Sequence, residues 1–138
     1  MNDTAIALLG YIGLMIIMLA MLASLRTGLT LGGKRAANSF SPAGDDVSPF
    51  SGRLCRAHAN TYEFFPIIGG LMLYGLATGQ SGITNGLAMI VLGARVLQSL
   101  THIASTSVMM VQVRFFFFLV QFVIAIYWLY LFAQPLMG

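Results

Sequence analysis

Four blocks of apolar residues, separated by polar connections, dominate the pattern along the chain. They cover residues 4–25, 57–78, 85–105 and 111–132. Each is about 20 residues long, the length that crosses a ~30 Å hydrocarbon core as an α-helix. An outer-membrane strand would alternate apolar and polar residues, whereas residues 115–120 read Phe-Phe-Phe-Phe-Leu-Val. The pattern predicts an all-α integral membrane protein, in which residues 1–138 form a single domain with a four-helix transmembrane bundle.

The connections between the blocks differ in length and in charge. The first, residues 26–56, is long and rich in turn-forming Gly, Ser, Pro and Asp, whereas the other two are short. Its basic residues are Arg26, Lys34, Arg35, Arg53 and Arg56. Because short loops rich in Lys and Arg stay in the cytoplasm, we expect this loop to be cytoplasmic and both termini to lie on the other side. A multi-pass protein of a bacterial inner membrane fits this topology.

Composition supports the membrane location and narrows the functional classes. Hydrophobic residues make up 58% of the chain and charged residues only 8%, whereas soluble domains carry about 25% charged residues. The net charge of +3 does not indicate nucleic-acid binding, which needs Lys and Arg clustered on a polar surface. One cysteine and two widely separated histidines predict neither an intramolecular disulfide nor a metal site.

A stripe of polar residues runs along the start of the second block. Arg53, Arg56, Asn60 and Glu63 occupy positions i, i+3, i+7 and i+10. At 100° per residue these positions share one helix face. Pro66 follows within a turn of Glu63 and removes a backbone donor, so a kink is expected there.

The third and fourth blocks place further polar residues at the same end of the bundle. Arg95, Gln98 and His102 lie at i, i+3 and i+7 of the third block, and Arg114 opens the fourth. A charged residue at the centre of a spanning helix costs about 2.5–3.5 kcal/mol, so such residues need partners. We therefore count Arg53 and His102, with the rest of this set, among the candidate ligand-binding residues.

The charge balance of this set suggests an anionic ligand. One structural alternative is that Glu63 pairs with Arg95 or Arg56 only to make insertion tolerable. That pairing leaves an excess of positive charge, because one carboxylate cannot neutralise every arginine. Separated arginines suit carboxylates, which they bind bidentately, and a glutamate suits an ammonium. Glutathione carries two carboxylates, one amine and a polar backbone, and so satisfies the whole set.

The motif in the second block resembles a known family signature. Residues 56–66, Arg-Ala-His-Ala-Asn-Thr-Tyr-Glu-Phe-Phe-Pro, resemble the second-helix signature R-A-x-x-N-x-x-E-x-x-P of the MAPEG family. This family comprises membrane-associated proteins of eicosanoid and glutathione metabolism. Gly93-Ala94-Arg95, with His102 seven residues later, is similar to the Ala-Arg motif of the family's third helix. The spans, the polar loop and the length agree as well, so the resemblance covers essentially the whole chain. The chain resembles a bacterial-type member of the family, similar to microsomal glutathione transferases.

The resemblance implies a homotrimer that binds glutathione between subunits on the cytoplasmic side. It assigns glutathione contacts to the positions held here by Arg56, Asn60, Glu63 and Arg95. It also implies a catalytic role for the arginine at the start of the fourth helix, here Arg114, which would hold the glutathione thiolate. A basic residue after the first helix contributes in the family, and the options here are Arg26, Lys34 and Arg35.

The activity implied is a glutathione transferase or peroxidase acting on hydrophobic electrophiles or lipid hydroperoxides. Family synthases usually carry tyrosines at the positions held here by Gln98 or His102. Phe115 stands where the prostaglandin E synthase group has a serine, so a serine-assisted isomerase mechanism is not favoured. The alternative is a non-catalytic relative that binds a lipid and presents it to a partner. A small multidrug exporter would need an acidic residue within the first helix, and residues 4–25 contain none.

Overall fold

The computed structural model describes residues 2–33, 48–104 and 107–137. In these ranges the chain forms four helices and a short 3-10 turn. They are α1 (Asp3–Leu31), α2 (Pro49–Ala77), α3 (Ser81–Ala104), α4 (Val108–Ala133) and the turn Gln134–Leu136. Lys34, Arg35 and Gly138, on which parts of the loop and topology predictions rest, lie outside the described residues.

The first two helices are longer than the apolar blocks that predict them. α1 continues through Arg26 and Gly28 to Leu31 and ends at the Gly32-Gly33 pair, where Gly33 adopts a φ of 73°. α2 begins eight residues before its apolar block, because Ser48 accepts a hydrogen bond from Ser51 N and Pro49 occupies the first turn. Both ends of the predicted 26–56 loop are therefore helical, and Arg53 and Arg56 lie within α2.

The two later connections are short. Gly79, with a φ of 69°, turns the chain after α2, and Gln80 N donates to Gly75 O at 2.7 Å. Ser107 caps α4 by accepting a hydrogen bond from Met110 N at 3.3 Å. These turns keep α2, α3 and α4 antiparallel neighbours, so the start of α2, the end of α3 and the start of α4 meet at one end of the bundle.

Helices α2 and α3 are the central elements of the bundle. Among the described residues each of them packs against all three other helices, whereas α1 and α4 share no packed interface. The main core lies between the helices and includes Tyr11, Phe64, Ile68, Val91 and Trp128. A smaller cluster joins α1 to the start of α2.

Three helices of the described ranges have the length and apolar character to cross a membrane. They are α1, α3 and α4 together with the following turn. α2 is as long as α1, but the polar stripe in its first half lowers its hydropathy. Large apolar side chains point outward, including Leu9 (68% exposed), Phe116 (60%) and Ile126 (52%). Such a surface suits lipid or a neighbouring subunit rather than water.

Candidate functional site

A cavity of about 420 Å³ opens where α2 begins, α3 ends and α4 begins. Its lining residues combine polar groups with aromatic and aliphatic ones: Asn60, Gln98, His102, Val111, Arg114, Phe115 and Phe118. The polar side chains come from three different helices, and the phenylalanines belong to α4. The cavity can therefore accept a polar ligand beside an apolar one.

Arg114 contacts His102 across this cavity. Its Nη1 lies 3.1 Å from His102 Nδ1. An arginine can only donate hydrogen bonds, so His102 Nδ1 is the acceptor and carries no proton in this arrangement. His102 lies two residues before the end of α3 and Arg114 six residues after the start of α4, so the short connection between these helices keeps the two side chains close. The cavity wall thus holds one fixed cation whose direction is set by a neutral imidazole.

Arg95 lies behind the cavity rather than on its wall. Its side chain is fully buried and donates from Nη1 to Asn60 Oδ1 and from Nε to Gln121 Oε1, both at 2.9 Å. The guanidinium also lies 5.6 Å from the centre of the Tyr11 ring and 5.4 Å from that of Phe64. Aromatic faces and amide oxygens stabilise the buried cation. Arg95 has no exposed surface and so contacts a ligand in this cavity only through Asn60.

The pairing of Glu63 with Arg95 that the sequence allows is wrong. Glu63 is exposed on α2 and forms no ion pair or hydrogen bond with any residue of the described ranges. Asn60, one turn earlier, already accepts the hydrogen bond from Arg95 Nη1. Arg56 is exposed as well. The polar stripe of α2 therefore lies along the border between the core and the outer surface, and two of its charges face outward.

Arg53 has a partner at the end of α3. Its Nε donates to Ile103 O at 2.6 Å, and the carbonyls at a helix C-terminus are otherwise unpaired. Basic side chains commonly bind such carbonyls. Arg53 thus ties the start of α2 to the end of α3, next to the cavity but not on its wall.

Arg26 lies in a different cavity, between α1 and α2. This cavity has a volume of about 380 Å³ and is also lined by Cys55, His58 and Tyr62. Arg26 Nη2 lies 3.7 Å from Cys55 Sγ. Within one chain the structure therefore brings together Asn60, His102 and Arg114, but does not bring Arg26 to them.

Gln121 is a member of the site that the sequence reasoning missed. It is fully buried in α4 and bonds to both Arg95 and Gln98. Its signal was a neutral amide within the apolar and aromatic residues 115–132 of the fourth block, where an unpaired polar group is costly. A search for charged residues alone does not find such a position. In the described part of the chain, no group of three or more His, Cys, Asp or Glu residues is placed to hold a metal ion.

Comparisons with known proteins identify the family. The family model described as MAPEG family matches residues 4–134. No curated protein and no solved structure matches the chain. The match covers nearly the whole chain, including α2, α3 and the start of α4, which form the cavity. The protein therefore belongs to the MAPEG family, the membrane proteins of eicosanoid and glutathione metabolism.

Proposed function

We propose that this protein is a membrane-embedded, glutathione-dependent transferase or peroxidase that acts on hydrophobic electrophiles or lipid hydroperoxides. The observation that carries the proposal is the cavity in which Asn60, His102 and Arg114 meet beside Phe115 and Phe118. Glutathione would occupy its polar side. The apolar co-substrate would enter from the bilayer along the phenylalanines of α4.

Arg114 is proposed as the catalytic residue. A free thiol has a pKa of about 8.5, and a neighbouring cation lowers it. The guanidinium of Arg114 stays charged at any working pH, so it can stabilise the glutathione thiolate without itself titrating. His102 would keep the guanidinium in place through the Nδ1 contact of 3.1 Å.

Two reactions are open to such a thiolate. In a transferase, the sulfur attacks an electrophilic carbon, an S–C bond forms, and the leaving group departs with the bonding electron pair. In a peroxidase, the sulfur attacks the terminal oxygen of a lipid hydroperoxide, the O–O bond breaks, and the lipid leaves as an alcohol. A second glutathione then converts the sulfenic acid of the first to a disulfide and water.

We propose that the protein assembles as a homotrimer, which would account for the remaining assignments. Arg56 and Glu63 are exposed on the outer side of α2, and Arg26 lies in the α1–α2 cavity. Charged groups facing hydrocarbon would be costly, whereas a subunit boundary would give them a polar ligand. We propose that glutathione extends from the cavity to that boundary, with Arg26 and Arg53 adding positive charge and Arg56 and Glu63 binding its carboxylate and ammonium ends.

A second candidate is a non-catalytic protein that binds a lipid and presents it to a partner. An apolar groove of about 280 Å³ favours it, lined by Ile67, Leu71, Phe122, Ala125, Ile126 and Leu129. This groove lies between α2 and α4 and exposes no polar surface, so it suits an acyl chain. Such a protein would bind lipid without ionising glutathione.

Purified protein in detergent separates the two candidates. Glutathione binding is measured by calorimetry, and ionisation of the bound thiol by its ultraviolet absorbance. A transferase binds glutathione, ionises it at neutral pH and conjugates a hydrophobic electrophile. Retention of lipid with no uptake of glutathione would support the lipid-presenting candidate instead. Gln112→Ala, an exposed change two residues before Arg114, serves as a control for Arg114→Ala.

A further inference from the structure

A closed ring of hydrogen bonds joins four side chains from three helices next to the cavity. Arg95 donates to Asn60 Oδ1 and to Gln121 Oε1, both at 2.9 Å. Gln121 Nε2 donates to Gln98 Oε1 at 2.8 Å, and Gln98 Nε2 donates to Asn60 Oδ1 at 3.3 Å. Arg95, Gln98 and Gln121 are at most 2% exposed, whereas Asn60 is half-buried and lines the cavity.

The chemistry of Arg95 fixes the orientation of every amide in this ring. A guanidinium has donors only, so the atoms that face it on Asn60 and Gln121 must be oxygens. The NH2 group of Gln121 is then left for Gln98, which must present its oxygen and turn its own NH2 toward Asn60. The donor-only guanidinium therefore determines which atom of each amide is oxygen and which is nitrogen, so these assignments are not arbitrary.

The ring leaves the side-chain NH2 group of Asn60 available to a ligand. Its Oδ1 receives two donors, while its Nδ2 donates to no atom of the described ranges. We infer that Gln121 is a positioning residue: through this ring it fixes Asn60 as a hydrogen-bond donor toward the cavity, where the ligand must present a carbonyl or carboxylate oxygen. This inference rests on the proposed function for the identity of the ligand. Glutathione offers such oxygens, which Asn60 in this orientation would bind. It also offers an ammonium group, which Asn60 in this orientation would not bind.

A purely structural role for the ring is the competing explanation. In that case Gln121 serves only to give buried Arg95 an acceptor. Gln121→Glu separates the two roles, because a carboxylate accepts from Arg95 and adds a counter-charge but can donate neither to Gln98 Oε1 nor to Phe117 O, to which Gln121 Nε2 donates at 2.8 and 2.9 Å. A structural role would leave this variant as stable as the wild type and equally able to bind glutathione. A positioning role predicts retained stability with weaker binding.

The experiment compares full-length variants in detergent by glutathione affinity and melting temperature. We expect Gln121→Glu to weaken glutathione binding by about 3- to 10-fold, the loss of roughly one hydrogen bond, without lowering the melting temperature. Gln134→Glu, which makes the same change at an exposed site at the far end of α4, should bind as the wild type does. Wild-type affinity in Gln121→Glu would overturn the positioning role.

The direction of the Asn60 hydrogen bond has its own test. Asn60→Asp replaces the donor with an acceptor, whereas Asn60→Ala removes the group. If Asn60 donates, the aspartate variant binds glutathione more weakly than the alanine variant, because its carboxylate faces a ligand oxygen. Equal or tighter binding by Asn60→Asp would contradict the inference.

A ligand-free measurement distinguishes failure of this inference from failure of the proposed function. If the wild type takes up no glutathione, the proposed function is wrong. The orientation of the Asn60 side-chain amide is then determined by measuring hydrogen exchange of the side-chain amides. We expect the NH2 group of Asn60 to exchange with water faster than those of Gln98 and Gln121, and slower exchange at Asn60 would overturn the inference.

Discussion

At the scale of single residues, the central feature is that each cation near the cavity has a different partner. Arg114 contacts a neutral imidazole, Arg95 contacts two amide oxygens, and Arg53 contacts a backbone carbonyl. None of these partners neutralises the positive charge. Partners of this kind fix the direction of each guanidinium while leaving its charge available to an anionic ligand.

The contact between His102 and Arg114 gives the first prediction. His102→Leu removes the acceptor for Arg114 Nη1, so the guanidinium loses its fixed direction. We expect the rate of conjugation of a hydrophobic electrophile to fall by about 2- to 12-fold, the worth of a typical hydrogen bond. His102→Asn can present an oxygen at the same point and should retain most of the rate. Equal losses in both variants would contradict a role for the acceptor.

The polar stripe of α2 gives the second prediction. Arg56→Ala, Asn60→Ala and Glu63→Ala should each weaken glutathione binding while the oligomer persists. Charge-assisted hydrogen bonds contribute about 1.5–3 kcal/mol net, so we expect losses of roughly 10- to 150-fold. Calorimetry and size-exclusion chromatography measure the two properties. Unchanged affinity in all three variants would leave the stripe with a structural role only.

At the scale of elements, the start of α2 determines where the stripe lies. Ser48 accepts a hydrogen bond from Ser51 N at 3.1 Å, and the helix then continues through Pro66 to Ala77. Arg53 follows just over a turn later and bonds to the last turn of α3. The cap and the Arg53 contact thus fix the first turns of α2 against α3, which places Asn60 beside Arg95.

The cap gives the third prediction. Ser48→Ala should lower the free energy of unfolding by about 1 kcal/mol, the usual cost of losing an N-cap. Ser24→Ala, at an exposed position inside α1, should be neutral or slightly stabilising because alanine is the better helix former. Denaturant titration in detergent compares the two. A Ser48→Ala protein as stable as the wild type would show that the cap contributes nothing measurable.

The existence of the helices followed from the apolar blocks, but their ends and the inner contacts did not. α1 and α2 extend into polar sequence, where caps and glycines rather than hydropathy decide the boundary. Periodicity placed Asn60 and Glu63 on one face, but it could not say that Asn60 turns inward to Arg95 while Glu63 turns outward. Gln121 was missed because its importance depends on packing between α3 and α4.

At the scale of the whole molecule, the outward charges of α2 and the apolar outer surface suggest that one chain is an incomplete unit. Arg56 and Glu63 are exposed, and so are many large apolar side chains. A polar ligand at a subunit boundary, surrounded by lipid-facing helices, would account for both. The family assignment agrees with a membrane protein of eicosanoid and glutathione metabolism.

Topology gives the fourth prediction at this scale. The excess of Lys and Arg in the first connection predicts that residues 26–56 face the cytoplasm and that the C-terminus lies on the opposite side. Reporter enzymes fused after Gly138, and inserted in the first connection, should score as external and cytoplasmic respectively. A cytoplasmic score at the C-terminus would contradict this orientation.

The central claim is that Arg114 holds the glutathione thiolate in the cavity between α2, α3 and α4. Its most direct test is the ultraviolet absorbance of the thiolate in glutathione bound to purified wild-type protein and to Arg114→Ala, followed as a function of pH. We expect glutathione to be ionised at neutral pH in the wild type. In the variant it should remain bound with its thiol pKa about 1–3 units higher, with activity about 10- to 1000-fold lower at neutral pH and largely restored at high pH. A variant with the same thiolate spectrum and full activity at neutral pH would contradict the account.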